Sequence, residues 1–173
     1  VVEQNSKLRD CLVAQAEALG REIADPRVMA PTEVLYNNTF AELQRALKLL
    51  KKEKQNPFEI EEALGSVSTQ FQKVETQIKR DLSIHAEAKR SVAAAAEAVT
   101  RAASLARNAV GMADNIPDSA KLAGSTEKIQ SLKSRLSKVR ALLDVESGDW
   151  NEVDTLADRL YEQAQLTCAL IEG

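Results

Sequence analysis

The chain has 173 residues, of which 44% are hydrophobic and only 3% aromatic, and its formal net charge is −3. Strong helix formers dominate the composition, whereas sheet-rich folds are enriched in aromatic and β-branched residues, so an all-α fold is expected. The weak negative charge supplies no basic field to attract nucleic acid, and no apolar run is long enough for direct membrane insertion.

The first two predicted helices each carry an apolar stripe with helical periodicity. The first is expected over roughly 3–24, because Asp25 precedes Pro26 and a residue before proline disfavours the helical region. The second is expected to open at Pro31-Thr32-Glu33. The stripes consist of Leu8, Cys11, Leu12, Ala16, Leu19 and Ile23 in the first helix and Leu35, Tyr36, Phe40, Leu43, Ala46, Leu47 and Leu50 in the second.

A single long helix is predicted over about 57–112. Asn56 is a suitable N-cap, Pro57 suits the first helical position, and Glu59 follows three residues after the cap. Apolar residues then alternate at spacings of four and three, which is a heptad seam. The seam reads Ile60, Leu64, Val67, Phe71, Val74, Ile78, and in the same phase Asp81, His85, Ala88, Val92, Ala95, Val99, Ala102, Ala106, Ala109. At about 85 Å, such a helix must serve two bundles in succession.

Two further helices are predicted after a loop at 113–120. The first covers about 119–146, and the second follows Asp149 and runs to about 171. Asp149 is a second N-cap candidate, with Glu152 three residues later. This turn lies 93 residues after the one at Asn56, and several apolar positions match at the same offset. The chain is therefore expected to contain an internal repeat.

A three-helix unit that is joined to the next by a shared helix resembles spectrin repeats and the spectrin-like repeats of bacterial division-ring proteins. The alanine-rich stretch Val92-Ala93-Ala94-Ala95-Ala96 also resembles talin- and vinculin-type rods. These resemblances imply a mechanical and partner-binding role. We therefore expect two tandem three-helix bundles, over 1–82 and 83–173, that share the long helix in an elongated molecule.

No catalytic, cofactor-binding or metal site is predicted. Asp81 and His85, the single histidine, could bind a metal only if two more ligands came from elsewhere. The favoured interpretation is that the seam is less buried there, at the passage between bundles, and tolerates polar groups. Cys11 and Cys168 are interpreted as reduced core thiols. Trp150 is expected to close a bundle end or, alternatively, to be partly exposed as a partner anchor.

Net charge alternates between most successive helical segments. The segment 119–146 carries +3 and the segment 149–173 carries −5. The favoured interpretation is intramolecular complementarity between neighbouring helices. The alternative is a docking surface formed by basic residues, namely Lys48, Lys51, Lys52 and Lys54 near one helix end and Lys128, Lys133, Arg135, Lys138 and Arg140 along another helix.

Together these features predict a structural or scaffolding segment of a larger protein, a helical spacer with a lateral protein-binding surface and no enzymatic activity. The alternative is a sensor or partner-recognition bundle of a membrane-associated or secretion-associated protein, with a break near Leu82-Ser83 that lets the halves pack side by side. No cofactor is expected. The partners are unidentified proteins, and the heptad seams also permit self-association. Because the chain begins at Val1 without an initiator Met, we interpret it as soluble and as a fragment of a longer chain or, alternatively, a mature chain.

Overall fold

In a computed structural model, the described residues 2–51, 56–112 and 119–173 form five helices and no strand. The side chains described are those of 3–51, 56–109 and 124–173. The helices are α1 (Val2–Ile23), α2 (Ala30–Leu50), α3 (Pro57–Met112), α4 (Ser119–Leu143) and α5 (Trp150–Glu172). The predicted all-α class is confirmed. Among these described helices, none is both long enough and apolar enough to cross a lipid bilayer.

The long central helix is present over the range predicted from its heptad seam. Asn56 caps it, since its side-chain oxygen accepts hydrogen bonds from the backbone N–H groups of Phe58 at 3.1 Å and Glu59 at 3.4 Å. Asp149 caps α5 in the same way and accepts from the Glu152 N–H at 3.2 Å. Both predicted N-caps are therefore confirmed. The predicted loop at 113–120 lies mostly outside the described residues, and so do Lys52 and Lys54.

By internal packing the chain divides into two compact units. Unit 1 comprises Val1–Ser83 with Glu146–Gly148, and unit 2 comprises Ile84–Val145 with Asp149–Gly173. Each unit has its own apolar core, to which a different half of α3 contributes. The interpretation of these units as tandem three-helix bundles stays a prediction.

The core of unit 1 takes side chains from α1, α2 and the first half of α3. All six predicted seam residues from Ile60 to Ile78 are buried, and Phe71 is fully enclosed among them. Their partners on the other two helices are Leu12, Ala16, Leu19, Leu43 and Ala46. Burial of a large apolar side chain stabilises a fold by about 1.5–3 kcal/mol, so this seam contributes substantially to the unit's stability.

The core of unit 2 is built from smaller side chains. The second half of α3 contributes mainly alanines, which face larger residues of α4 and α5. The α3 residues are Ala95, Ala98, Val99, Ala102, Ala103 and Ala106, and their partners include Ile129, Leu132, Leu136, Leu160 and Ala164. An alanine face removes less apolar area from water per residue than the Leu, Val and Phe seam of unit 1. Shape matching against α4 and α5 therefore matters more in unit 2.

Candidate functional site

Asp81 of α3 is buried, with only 3% of its surface exposed, and it ties α3 to the start of α2. Its Oδ2 accepts a hydrogen bond from the Met29 backbone N–H at 3.0 Å and one from the Thr32 hydroxyl at 2.5 Å. Met29 is the N-cap residue of α2, and its own side chain makes no capping bond. The Asp81 carboxylate therefore satisfies, from another helix, the N-cap backbone N–H that in a capping box bonds to the side chain of the third helical residue.

The expectation of a less buried seam at Asp81 is wrong. The carboxylate is accommodated inside unit 1 because two hydrogen-bond donors reach it. A buried charge without such partners would cost several kcal/mol, so the Met29 N–H and the Thr32 hydroxyl are needed for this arrangement. The sequence shows Asp81 in the seam phase, but the donors lie 49 and 52 residues away along the chain.

His85 and Trp150 form a ring contact inside unit 2. The ring centroids lie 4.6 Å apart, and the planes meet at 82°, so one ring presents its edge to the face of the other. His85 is half-buried, whereas Trp150 is 1% exposed. The alternative of a partly exposed Trp150 that anchors a partner is therefore wrong. Within the described ranges, no group of three or more His, Cys, Asp or Glu side chains could hold a metal ion with Asp81 or His85.

Two polar links join α3 to α5 in unit 2. The Ser91 hydroxyl donates to the Asp154 carboxylate in a short hydrogen bond, and the Arg101 guanidinium lies 3.3 Å from Glu172. The second pair is exposed on both sides and is worth only about 0.2–1 kcal/mol. They connect α5 to α3 at Asp154, near its start, and at Glu172, its last residue.

Of the two cysteines predicted to lie in the core, only one is buried. Cys168 is buried in the core of unit 2, as predicted, and burial raises the pKa of its thiol. Cys11 is exposed, so its interpretation as a core thiol is wrong. It precedes the buried Leu12, and a one-residue step along a helix turns the side chain by about 100° toward the surface.

The charged surfaces of α4 and α5 carry few ion pairs. Between described side chains of different helices, the salt bridge Arg101–Glu172 is the one formed, and it does not involve α4. Among the side chains described at 124–146 and 149–173, no salt bridge joins α4 to α5. Charge complementarity between these two helices stays a prediction.

Exposed apolar side chains lie close to these charges on α5. Leu166 is 60% exposed and Leu170 is 63% exposed, one turn apart, while Tyr161 is 40% exposed. Large apolar side chains that are more than half exposed are individually common, but a cluster on one helix face indicates a contact surface. This face, the basic residues of α4 and a groove between α3 and α4 are the features of unit 2 suited to binding. No protein-family model, no curated protein and no solved structure matches this chain significantly.

Proposed function

We propose that this chain is a structural or scaffolding segment of a larger protein, a helical spacer with a lateral protein-binding surface. The observation that supports it is that different parts of α3 contribute to the cores of different units. Residues 60–78 of this helix belong to the core of unit 1, and residues 95–106 belong to the cores of unit 2. An uninterrupted helix is stiff over this length, so we propose that it transmits position from one unit to the other.

The proposal includes two three-helix bundles in tandem and an elongated molecule, as in the spectrin-type arrangement that the sequence resembles. Three helices contribute to each core, which supports the bundle interpretation. A bend of α3 between the cores would break several i to i−4 hydrogen bonds. Asp81, whose bonds to Met29 and Thr32 hold α2 on α3, lies next to this part of the helix.

Small-angle X-ray scattering of the intact chain tests the proposal. A compact globule of this length has a radius of gyration of about 16 Å. A rod the length of α3, about 84 Å, has one of about 25 Å. We expect the larger value.

A matched pair of variants at Ser83 tests whether the continuity of α3 is what keeps the chain elongated. Ser83 is exposed, between the last seam residue of unit 1 and the first of unit 2. Ser83→Pro removes one backbone hydrogen bond and clashes with the preceding turn, whereas Ser83→Ala keeps the helix. We expect the alanine variant to scatter as the parent does and the proline variant to sample shorter and more varied dimensions. A radius near 16 Å for the parent chain would refute the spacer function.

A further inference from the structure

A groove of 230 Å³ runs between α3 and α4 on the surface of unit 2. Its floor is apolar and shallow because Ala103, Ala106 and Ile129 line it. Arg107 of α3 and Lys133 of α4 lie along its sides. Both cations are exposed, and no carboxylate among the described side chains pairs with either. The groove thus suits an aliphatic side chain with an acidic neighbour.

The outer face of α5 carries that combination. Glu162 and Leu166 are one turn apart on it and are therefore neighbours at about 5–6 Å between their Cβ atoms. Leu170 continues the apolar ridge by a further turn. Leucine side chains on this ridge match the space that small alanines leave in the groove, and Glu162 would lie beside Arg107 or Lys133. Segment charges of −5 for 149–173 and +3 for 119–146 favour the same encounter.

The two surfaces belong to different helices of unit 2. Helices α3, α4 and α5 pack around a common core, and the groove lies between the first two. The outer face of α5 points away from that core, so one copy cannot bring both surfaces to the same partner about a twofold axis. Contact between them is consequently heterologous, and such contacts extend from copy to copy.

We propose that the α5 face of one copy docks into the α3–α4 groove of the next copy, so that the chains associate laterally from head to tail. This inference rests on the proposed scaffolding function, because it assigns the lateral surface that the function requires. It names a second copy of this chain as the occupant, since the chain itself presents both complementary surfaces. Salt is expected to weaken the association, because Glu162, Arg107 and Lys133 are all exposed.

Sedimentation of full-length variants tests the proposal. The parent chain should show an average mass that rises with concentration above the monomer mass of 18.9 kDa. Leu166→Glu with Leu170→Glu destroys the α5 face, and Arg107→Glu with Lys133→Glu destroys the groove. Each double variant alone should weaken self-association at least tenfold. Val34→Glu adds an acid at an exposed apolar site on α2, and Lys138→Glu reverses a charge outside the groove, so both controls should associate like the parent.

An equimolar mixture of the two double variants tests whether the two surfaces bind each other. Each retains the surface that the other lacks, so an equimolar mixture should form a one-to-one complex of twice the monomer mass and stop there. A twofold symmetric contact would instead stop the parent chain at a dimer at the highest concentrations, which would overturn the proposal. A parent chain that stays monomeric into the millimolar range would also overturn it. Neither failure changes the expected scattering of the monomer, so the spacer function is tested separately.

Discussion

Gly20 of α1 and Gly65 of α3 offer a matched test of how unit 1 is packed. Glycine inside a helix is destabilising by about 0.5–1 kcal/mol relative to alanine, so Gly65→Ala should stabilise by about that amount. Nothing lies within 4 Å of the Cβ that this substitution would add. At Gly20 the added Cβ would lie 2.8 Å from the Tyr36 hydroxyl oxygen and 3.5 Å from Cζ. That approach is too short, so Tyr36 must move.

The displacement of Tyr36 should outweigh the gain in helix propensity. Its hydroxyl donates to the Ala16 carbonyl at 2.8 Å, and its ring packs on Phe71 with the centroids 6.4 Å apart. Loss of such a hydrogen bond costs about 0.5–1.5 kcal/mol, and overpacking costs typically about 1–3 kcal/mol. After subtraction of the helix-propensity gain, we expect Gly20→Ala to destabilise the protein by about 1 kcal/mol. The two alanine variants should therefore differ by about 2 kcal/mol.

Equilibrium urea denaturation followed by far-ultraviolet circular dichroism measures both variants. Tyr36→Phe supplies the control background, because it removes the oxygen that the new Cβ would strike. In that background we expect Gly20→Ala to become neutral or stabilising. If Gly20→Ala stabilises the parent chain as much as Gly65→Ala does, the contact between α1 and Tyr36 is refuted.

Four further predictions concern Asp81, Ser147 and the two cysteines. Asp81→Ala should destabilise unit 1 by about 2–4 kcal/mol in chemical denaturation, because hydrogen bonds to a charged group contribute about 1.5–3 kcal/mol each. In the Thr32→Val background, the destabilisation caused by Asp81→Ala should be smaller. Ser147 has a left-handed φ of 52°, so Ser147→Gly should raise stability by about 0.5–1 kcal/mol in chemical denaturation, and a loss would contradict the strain. Cys11 should react at once with a thiol reagent, whereas Cys168 should react only at the rate of unfolding. The raised pKa of Cys168 keeps its proton on the folded chain, so stability should fall as pH rises above the ordinary thiol pKa, and Cys168→Ala should remove that contribution.

The heptad seam of α3 could be predicted because its spacing depends on nearest neighbours along one helix. Ile60 and Phe71 show this, since both are buried as the pattern requires. The N-caps at Asn56 and Asp149 were predictable for the same reason, because cap and donors are three residues apart or closer.

The buried Asp81 and the surface groove of unit 2 were harder to predict, because both depend on contacts between residues far apart in the sequence. The burial of Asp81 requires donors from the start of α2, and no periodicity reveals them. The α3–α4 groove arises because Ala103 and Ala106 are small where α4 passes. In the sequence Ala106 is simply a seam residue, and Ala103 lies beside the seam. Leu166 and Leu170 fall outside the buried positions of α5, which include Leu160, Ala164 and Cys168. Their spacing alone does not distinguish an ordinary exposed face from a partner-binding face.

The central claim is that α3 is unbroken between the two cores, and a spin-label distance across it tests that claim most directly. Labels at Thr69 and Ala94, both exposed, would lie on nearly the same helix face in a chain whose native cysteines are replaced. A continuous helix places them about 38 Å apart at 1.5 Å per residue. We predict one narrow distance distribution centred near that value. A broad distribution, or one centred well below about 38 Å, would show a break in α3 and would contradict the account.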